Sequence, residues 1–150
     1  GAAFEKAGMH CIVSENIMGV IWDKLLVNVA TGAVCGITHL PYGDMYQEEK
    51  LVATAIAAVQ EGMDVAAKAG VSLTYSNPMD VLELAREGLP YDFKPSILQS
   101  LEKHRPTEIG VINGAVVAQG AKYGVATPVN ETLVACVTGI ERYIREYINK

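Results

Sequence analysis

An all-α domain of about six helices, packed around one buried central helix, is what this sequence predicts. Three observations lead there. The run from Ile17 to about Leu40 is apolar on nearly every face, the mark of a core helix or a membrane span. Later segments repeat apolar residues at three- and four-residue spacing between proline starts and glycine stops, the pattern of amphipathic helices. No stretch of useful length alternates with the period of a strand, and no repeat or low-complexity segment occurs. At 150 residues, half of them hydrophobic, the chain is one globular domain with a sizeable core.

In chain order, Ala2–Ala7 reads as a short helix ended by Gly8, and Met9–Val13 as a short extended piece. Ser14 and Glu15 start the central helix, which stops at the turn signal Leu40-Pro41-Tyr42-Gly43. A second long helix covers about Gln47 to Ala69, with Leu51, Ala55, Ile56, Val59, Met63, Val65 and Ala66 on one broad stripe and Gly70 as its C-terminal glycine. Ser76-Asn77-Pro78 opens a helix through Arg86, and Pro78 suits its first turn. After a loop over 88–92, Lys94–His104 forms a short helix, broken by Arg105-Pro106-Thr107. Glu108–Tyr123 follows as a helix, with Gly110, Gly114 and Ala118 allowing close packing and Gly124 ending it. Thr127-Pro128 opens the last helix, to about Ile148, with Leu133, Val134, Val137, Ile140 and Ile144 facing inward.

Three polar residues interrupt the central helix. Lys24, Asn28 and Thr31 are spaced four and then three apart, which stacks them on one face, and Gly32 adjoins that face with bare backbone. A lysine buried in such a helix is desolvated, which favours its neutral form and lets it give a proton and take it back. Asn28 offers two donors and an acceptor to orient a ligand oxygen. The competing account is structural: Lys24 reaches out to solvent, or pairs with a carboxylate.

Two later residues are placed to complete a pocket. Ser96 falls in the first turn of its helix, where a hydroxyl and free backbone N–H groups favour an anion such as a carboxylate; the alternative is an ordinary N-terminal serine. Glu108 begins its helix, where the dipole favours a carboxylate in any case; it also suits a partner for Lys24 or an acceptor for a hydroxyl. His10, His39 and His104 show no metal-ligand spacing, and no metal is expected.

Seventeen acidic against twelve basic residues give a net charge of −5 without a basic patch, which argues against nucleic acid. Cys11, Cys35 and Cys136 include no C-x-x-C and cannot all pair. Cys35 and Cys136 lie in apolar helical runs and read as buried thiols, which suits a reducing, cytoplasmic compartment. Asp23, Lys24, Asn28 and His39 make the central run a poor membrane span. The first residues lack a secretory signal and an initiating Met, so a larger protein is expected around this chain.

The segments W-D-K-L-L-V-N (Trp22–Asn28), P-S-I-L-Q-S (Pro95–Ser100), R-P-T-E-I (Arg105–Ile109), I-N-G (Ile112–Gly114) and G-V-A-T-P-V-N (Gly124–Asn130) together resemble the C-terminal domain of the ketopantoate reductase (2-dehydropantoate 2-reductase) family. The resemblance covers essentially the whole chain, in the right order and spacing. It implies a fold like the C-terminal domain of 6-phosphogluconate dehydrogenase. It makes residues 1–13 the tail of a preceding cofactor domain or linker, and 14–150 the helical substrate-binding and catalytic domain. By the same resemblance Lys24 is the general acid that protonates the ketone oxygen as NADPH delivers hydride, and Asn28 hydrogen-bonds the substrate. Ser96 holds the substrate carboxylate, and Glu108 helps bind and orient substrate and cofactor.

The chain departs from that pattern twice. The family often has an asparagine where this chain has Gly32, and another where it has Tyr42 before Gly43. Both changes remove polar contacts from the substrate side and bear on which 2-oxoacid is bound. No G-x-G-x-x-G occurs, so NADPH is expected to sit mainly on a Rossmann domain outside this chain. The expectation is therefore half of a 2-oxoacid reductase of pantothenate biosynthesis, inactive alone, with a homodimer possible. The alternatives are a related dehydrogenase for another 2-oxo or hydroxy acid, and a non-enzymatic helical dimerisation module.

Overall fold

The computed structural model describes residues 1–11 and 13–149, apart from the side chain of Ala2. Among the described residues it is all helical, with eight α-helices and no strand. These are α1 (Ala2–Lys6), α2 (Ile17–Thr38), α3 (Tyr42–Gln47), α4 (Glu49–Lys68), α5 (Pro78–Arg86), α6 (Ser96–Glu102), α7 (Asn113–Tyr123) and α8 (Pro128–Tyr143). A 3₁₀ turn, Ile109–Val111, precedes α7, and a π-helical turn, Ile144–Ile148, extends α8. The extended piece expected over Met9–Val13 includes Ile12, which lies outside the described residues.

The central helix is α2, and it packs against α4, α5, α6 and α8. It starts at Asn16, whose Oδ1 accepts from Gly19 N at 3.1 Å and whose Nδ2 donates to Ser72 O at 2.8 Å. Its C-terminal half fits the sequence expectation: every residue from Val29 to Gly36 is buried. Its first turns do not, because Ile17, Met18, Val20 and Ile21 are each more than half exposed. By length and composition α2 would serve to cross a membrane, yet 56% of its most apolar window is buried inside the bundle. Lys24 belongs to the emergent half and is exposed. The expectation of a lysine buried within this chain is thus corrected, since the neighbouring helices cover only α2's other side and its later turns.

Four further expectations change. Pro41-Tyr42-Gly43 is the start of α3 rather than a simple turn. Tyr42 N donates to Phe93 O at 3.0 Å and Gly43 N to Tyr91 O at 2.8 Å, so distant carbonyls satisfy the first donors of a helix that local signals do not announce. The segment from Glu108 is not one helix: it forms the 3₁₀ turn, breaks at Ile112 (φ −102°, ψ −92°) and resumes as α7. Of its small residues, Gly110 and Ala118 are exposed; the close approach is at Gly120, where an added Cβ would stand 2.7 Å from Thr127 Cγ2. Cys136 is exposed while Cys35 is buried, because α8 turns Leu133 and Val137 inward, as the π-helical turn after it does Ile144, and carries residue 136 round to the outside.

A buried polar network ties α4, α7 and α8 together. Glu61 accepts from Val129 N (2.8 Å), Asn130 N (3.0 Å) and Asn130 Nδ2 (2.7 Å). Asn130 Nδ2 also donates to Ala58 O at 2.9 Å, and its Oδ1 accepts from Asn113 Nδ2 at 3.0 Å. The asparagines of the I-N-G and T-P-V-N segments are thus a joined pair in the core, with Asn130 bonded through both ends of its amide and Asn113 through its Nδ2 alone, its buried Oδ1 lacking a partner among the described residues.

Candidate active site

The site begins with two glycines. Gly32 and Gly36 lie one turn apart on α2, and Ile97 of α6 packs where their side chains would be. An added Cβ would stand 3.1 Å from Ile97 Cδ1 at Gly32 and 2.7 Å from Ile97 Cγ2 at Gly36. This notch draws the start of α6 onto α2 and places Ser96 beside the polar face of α2. Asn28 and Ser96, 68 positions apart in sequence, line one cleft of about 290 Å³, at the lower end of the size typical of small-molecule sites.

The rest of the cleft wall is apolar. α2 gives Val27 and Gly32, α5 gives Ala85, and the loop between α5 and α6 gives Leu89, Phe93 and Pro95. Tyr42, Ile97 and Ile112 complete it. Thr31, the third polar residue of α2, also lines the cleft, but its hydroxyl is 2.6 Å from the Tyr42 hydroxyl. Burial pushes the Tyr42 phenol up, the Thr31 bond pulls the other way, and the net direction is upward; the cleft wall carries no phenolate at neutral pH.

Four of the predicted residues have side chains at liberty. Among the described residues, Lys24, Asn28, Ser96 and Glu108 make no side-chain hydrogen bond or ion pair, and all four are exposed. The other asparagines, Asn16, Asn77, Asn113, Asn130 and Asn149, each bond through their side chains; Asn28 does not. Ser96 does not cap its helix, because Pro95 occupies the cap position. Lys24 has no carboxylate partner among the described residues, and its reach into solvent is as the structural account expected. It lies one helical turn before Asn28, outside the cleft lining. Glu108 is also outside that lining, one turn before Ile112, whose N–H donates to Glu108 O at 3.0 Å. The structure therefore joins Asn28 and Ser96 in one cleft and leaves Lys24 and Glu108 at a distance of one turn from residues that line it.

An apolar stripe leads to this place. Ile17, Val20, Ile21, Lys24 and Asn28 recur at three- and four-residue steps, which is one face of α2, and Ile17, Val20 and Ile21 are 57%, 52% and 53% exposed.

Residues 16–141 match the family described as "Ketopantoate reductase PanE/ApbA C terminal". The chain belongs to this family. It is 32% identical over 136 residues to the 2-dehydropantoate 2-reductase of Archaeoglobus fulgidus, a match covering 90% of this chain and 45% of the relative. The chain thus spans about half the length of the curated relatives it matches. Its fold is similar to that of a PanE/ApbA family ketopantoate reductase from Ralstonia eutropha, with TM-score 0.85 and 31% identity, over 97% of this chain and 48% of that one. It is equally similar, at TM-score 0.85 and 27% identity, to a D-mandelate dehydrogenase solved with NADH and anilino(oxo)acetate, over 96% of this chain and 79% of that one.

In this member of the ketopantoate reductase family, the sequence set Tyr42 on the substrate side only through the family pattern, and sequence reasoning missed the other residues that close the cleft: Ala85, Leu89, Phe93 and Ile112. One signal was available. Pro41-Tyr42 and Leu89-Pro90-Tyr91-Asp92-Phe93 put aromatics beside prolines, outside any helical stripe. They meet in space, with the Tyr42 and Phe93 rings edge to face at 4.9 Å.

Proposed function

We propose that this chain is the substrate-side half of an NADPH-dependent 2-oxoacid reductase. The observation that carries the reading is the meeting of Asn28 and Ser96 in one cleft, both unbonded, one turn from Lys24. In this reading residues 1–13 are the tail of a preceding domain or linker, and 14–150 the substrate domain. 2-Dehydropantoate, reduced to pantoate in pantothenate biosynthesis, is the first substrate to assay, since it is in the names of the relatives. A different 2-oxoacid is the second reading, favoured by the apolar cleft wall and by a structural neighbour named as a D-mandelate dehydrogenase.

The sequence has no G-x-G-x-x-G, and there is no strand among the described residues, so the dinucleotide is assigned mainly to a further domain. A reduced nicotinamide, when bound by a further domain, supplies the hydride that turns a 2-oxoacid into a 2-hydroxyacid. This chain's residues do the rest. Ser96 donates to the carboxylate, and Asn28 donates to an acceptor oxygen beside the ketone. Lys24 Nζ gives its proton to the ketone oxygen, and Glu108 orients substrate and cofactor. Covering the Ile17–Val20–Ile21 stripe withdraws water from Lys24, where charge stabilisation then gains strength. Alone, the chain lacks the hydride donor and is inactive. The free thiols Cys11, Cys35 and Cys136 support a cytoplasmic setting. A homodimer is compatible with this scheme.

Steady-state kinetics of the full-length protein with NADPH and a 2-oxoacid test the roles. Lys24→Ala is expected to lower kcat by about 10²–10⁴-fold, since general acid catalysis acts as charge develops. Ser96→Ala is expected to act mainly on KM, because the carboxylate's charge hardly changes along the reaction. Lys24→Arg is not expected to restore activity. A Lys24→Ala enzyme with near-native kcat would overturn the reading.

A further inference from the structure

We propose that the cleft selects 2-oxoacids whose remaining substituent is bulky and apolar and carries no hydroxyl. The proposal rests on the 2-oxoacid reading above and names its substrate class. Once Ser96 is given the carboxylate and Asn28 the ketone side, what faces the substituent is Val27, Ala85, Leu89, Phe93, Ile112 and the ring of Tyr42. The only other polar side chains in the lining, Thr31 and Tyr42, are bonded to each other at 2.6 Å. The hydrogen that pair does not share, and its unused lone pairs, sit on groups at most 7% exposed. A substituent hydroxyl placed here gives up water and gains no ready partner, which costs free energy. Methyl groups or an aromatic ring meet instead aliphatic side chains and the edge-to-face pair of Tyr42 and Phe93.

The wall is also fixed in place, so it does not readily rearrange to hydrate a polar group. Tyr42 N and Gly43 N are held by Phe93 O and Tyr91 O. The Tyr91 hydroxyl donates to Asp44 Oδ1 at 2.7 Å and accepts from Gln47 Nε2 at 2.6 Å. An added Cβ at Gly43 would lie against the Tyr91 ring, so glycine is what lets the aromatic loop sit flat on α3.

Two acids that differ by one hydroxyl decide the matter: 2-dehydropantoate and 3,3-dimethyl-2-oxobutanoate. The full-length protein, with NADPH or NADH, is expected to show a kcat/KM about 10- to 100-fold higher for the acid without the hydroxyl, the range in which an apolar pocket rejects an added hydroxyl. A ratio below tenfold, or in favour of 2-dehydropantoate, overturns the proposal. Reduction of neither acid counts against the reductase reading itself. Leu89 is 40% exposed in a loop, so Leu89→Gln adds a polar group to the wall without emptying the core. It is expected to narrow the ratio at least threefold, and an unchanged ratio removes Leu89 from the selecting wall.

Discussion

Replacing Glu61 by alanine is expected to loosen the last helix from the bundle. Thr127 occupies the cap position of α8 but makes no capping hydrogen bond. Glu61, from the middle of α4, does that work across 68 residues, accepting from Val129 N and Asn130 N. These are two of the donors every helix start leaves open, and a carboxylate there also meets the positive end of the helix dipole. Alanine strips both donors and one bond of Asn130 Nδ2, which keeps Ala58 O at 2.9 Å. A lost cap costs about 0.5–2 kcal/mol, and leaving a further buried or half-buried donor open adds about 1–3 kcal/mol. Because Val129 is only half-buried, water recovers part of this, and a net loss of about 2–4 kcal/mol is expected. With an m-value of about 2 kcal/mol/M, the urea midpoint falls by about 1–2 M. Urea titration followed by far-UV circular dichroism reads this directly. Glu61→Gln, which keeps one acceptor oxygen but turns an amide N–H₂ toward the other donors, is expected to fall between. A Glu61→Ala loss under about 0.5 kcal/mol at unchanged m would refute the claim that this carboxylate holds α8.

Burial pushes the Cys35 thiol up to about 12 from an ordinary 9.0, so iodoacetamide at pH 8 is expected to alkylate Cys136 and spare Cys35 in the native chain; comparable labelling by mass spectrometry would refute this. The folded state holds that proton more tightly than the unfolded chain, so this contribution is full below about pH 9 and is lost as pH rises toward 12; a urea midpoint that fails to fall between pH 8 and 10 argues against it. Gly62→Ala would set a Cβ 2.5 Å from Leu26 Cδ2 in the core, and overpacking of about 1–3 kcal/mol is expected to outweigh the gain in helix propensity of about 1 kcal/mol. A rise in Tm would show that Leu26 yields.

Local pattern made the long helices legible. The stripe of α4 and the inward residues of α8 stand where the spacing put them, and Asn77-Pro78 starts α5 with Asn77 Oδ1 accepting from Met79 N at 2.9 Å. What failed was decided by distant partners. Nothing near Pro41-Tyr42-Gly43 announces a helix, because its first N–H groups are met by carbonyls some fifty residues on. The role of Glu61 was invisible for the same reason. Periodicity placed Asn28 on the face of α2 that lines the cleft and the first turn of α6 exposed Ser96, but only the Gly32–Gly36 notch, filled by Ile97, says that the two share that cleft. Lys24 was misjudged in burial because composition cannot say which half of an apolar helix is covered. Cys136 was misjudged because one step along α8 turns a residue from the core to solvent.

The emergent half of α2 has a property beyond its exposure. Its back is held by the link between α4 and α5: Asn16 Nδ2 bonds Ser72 O, and Asp23 accepts from Thr74 N at 3.2 Å. Ser72 O also lies where a side chain at Gly19 would be. Whatever covers Ile17, Val20 and Ile21 therefore meets a surface already ordered before contact. Little conformational freedom of this chain is left to lose on association, and preorganised surfaces convert more of their buried area into affinity. The same rigidity passes along the helix to Lys24 and Asn28. A body settling on the first turns would thereby be indexed against the cleft.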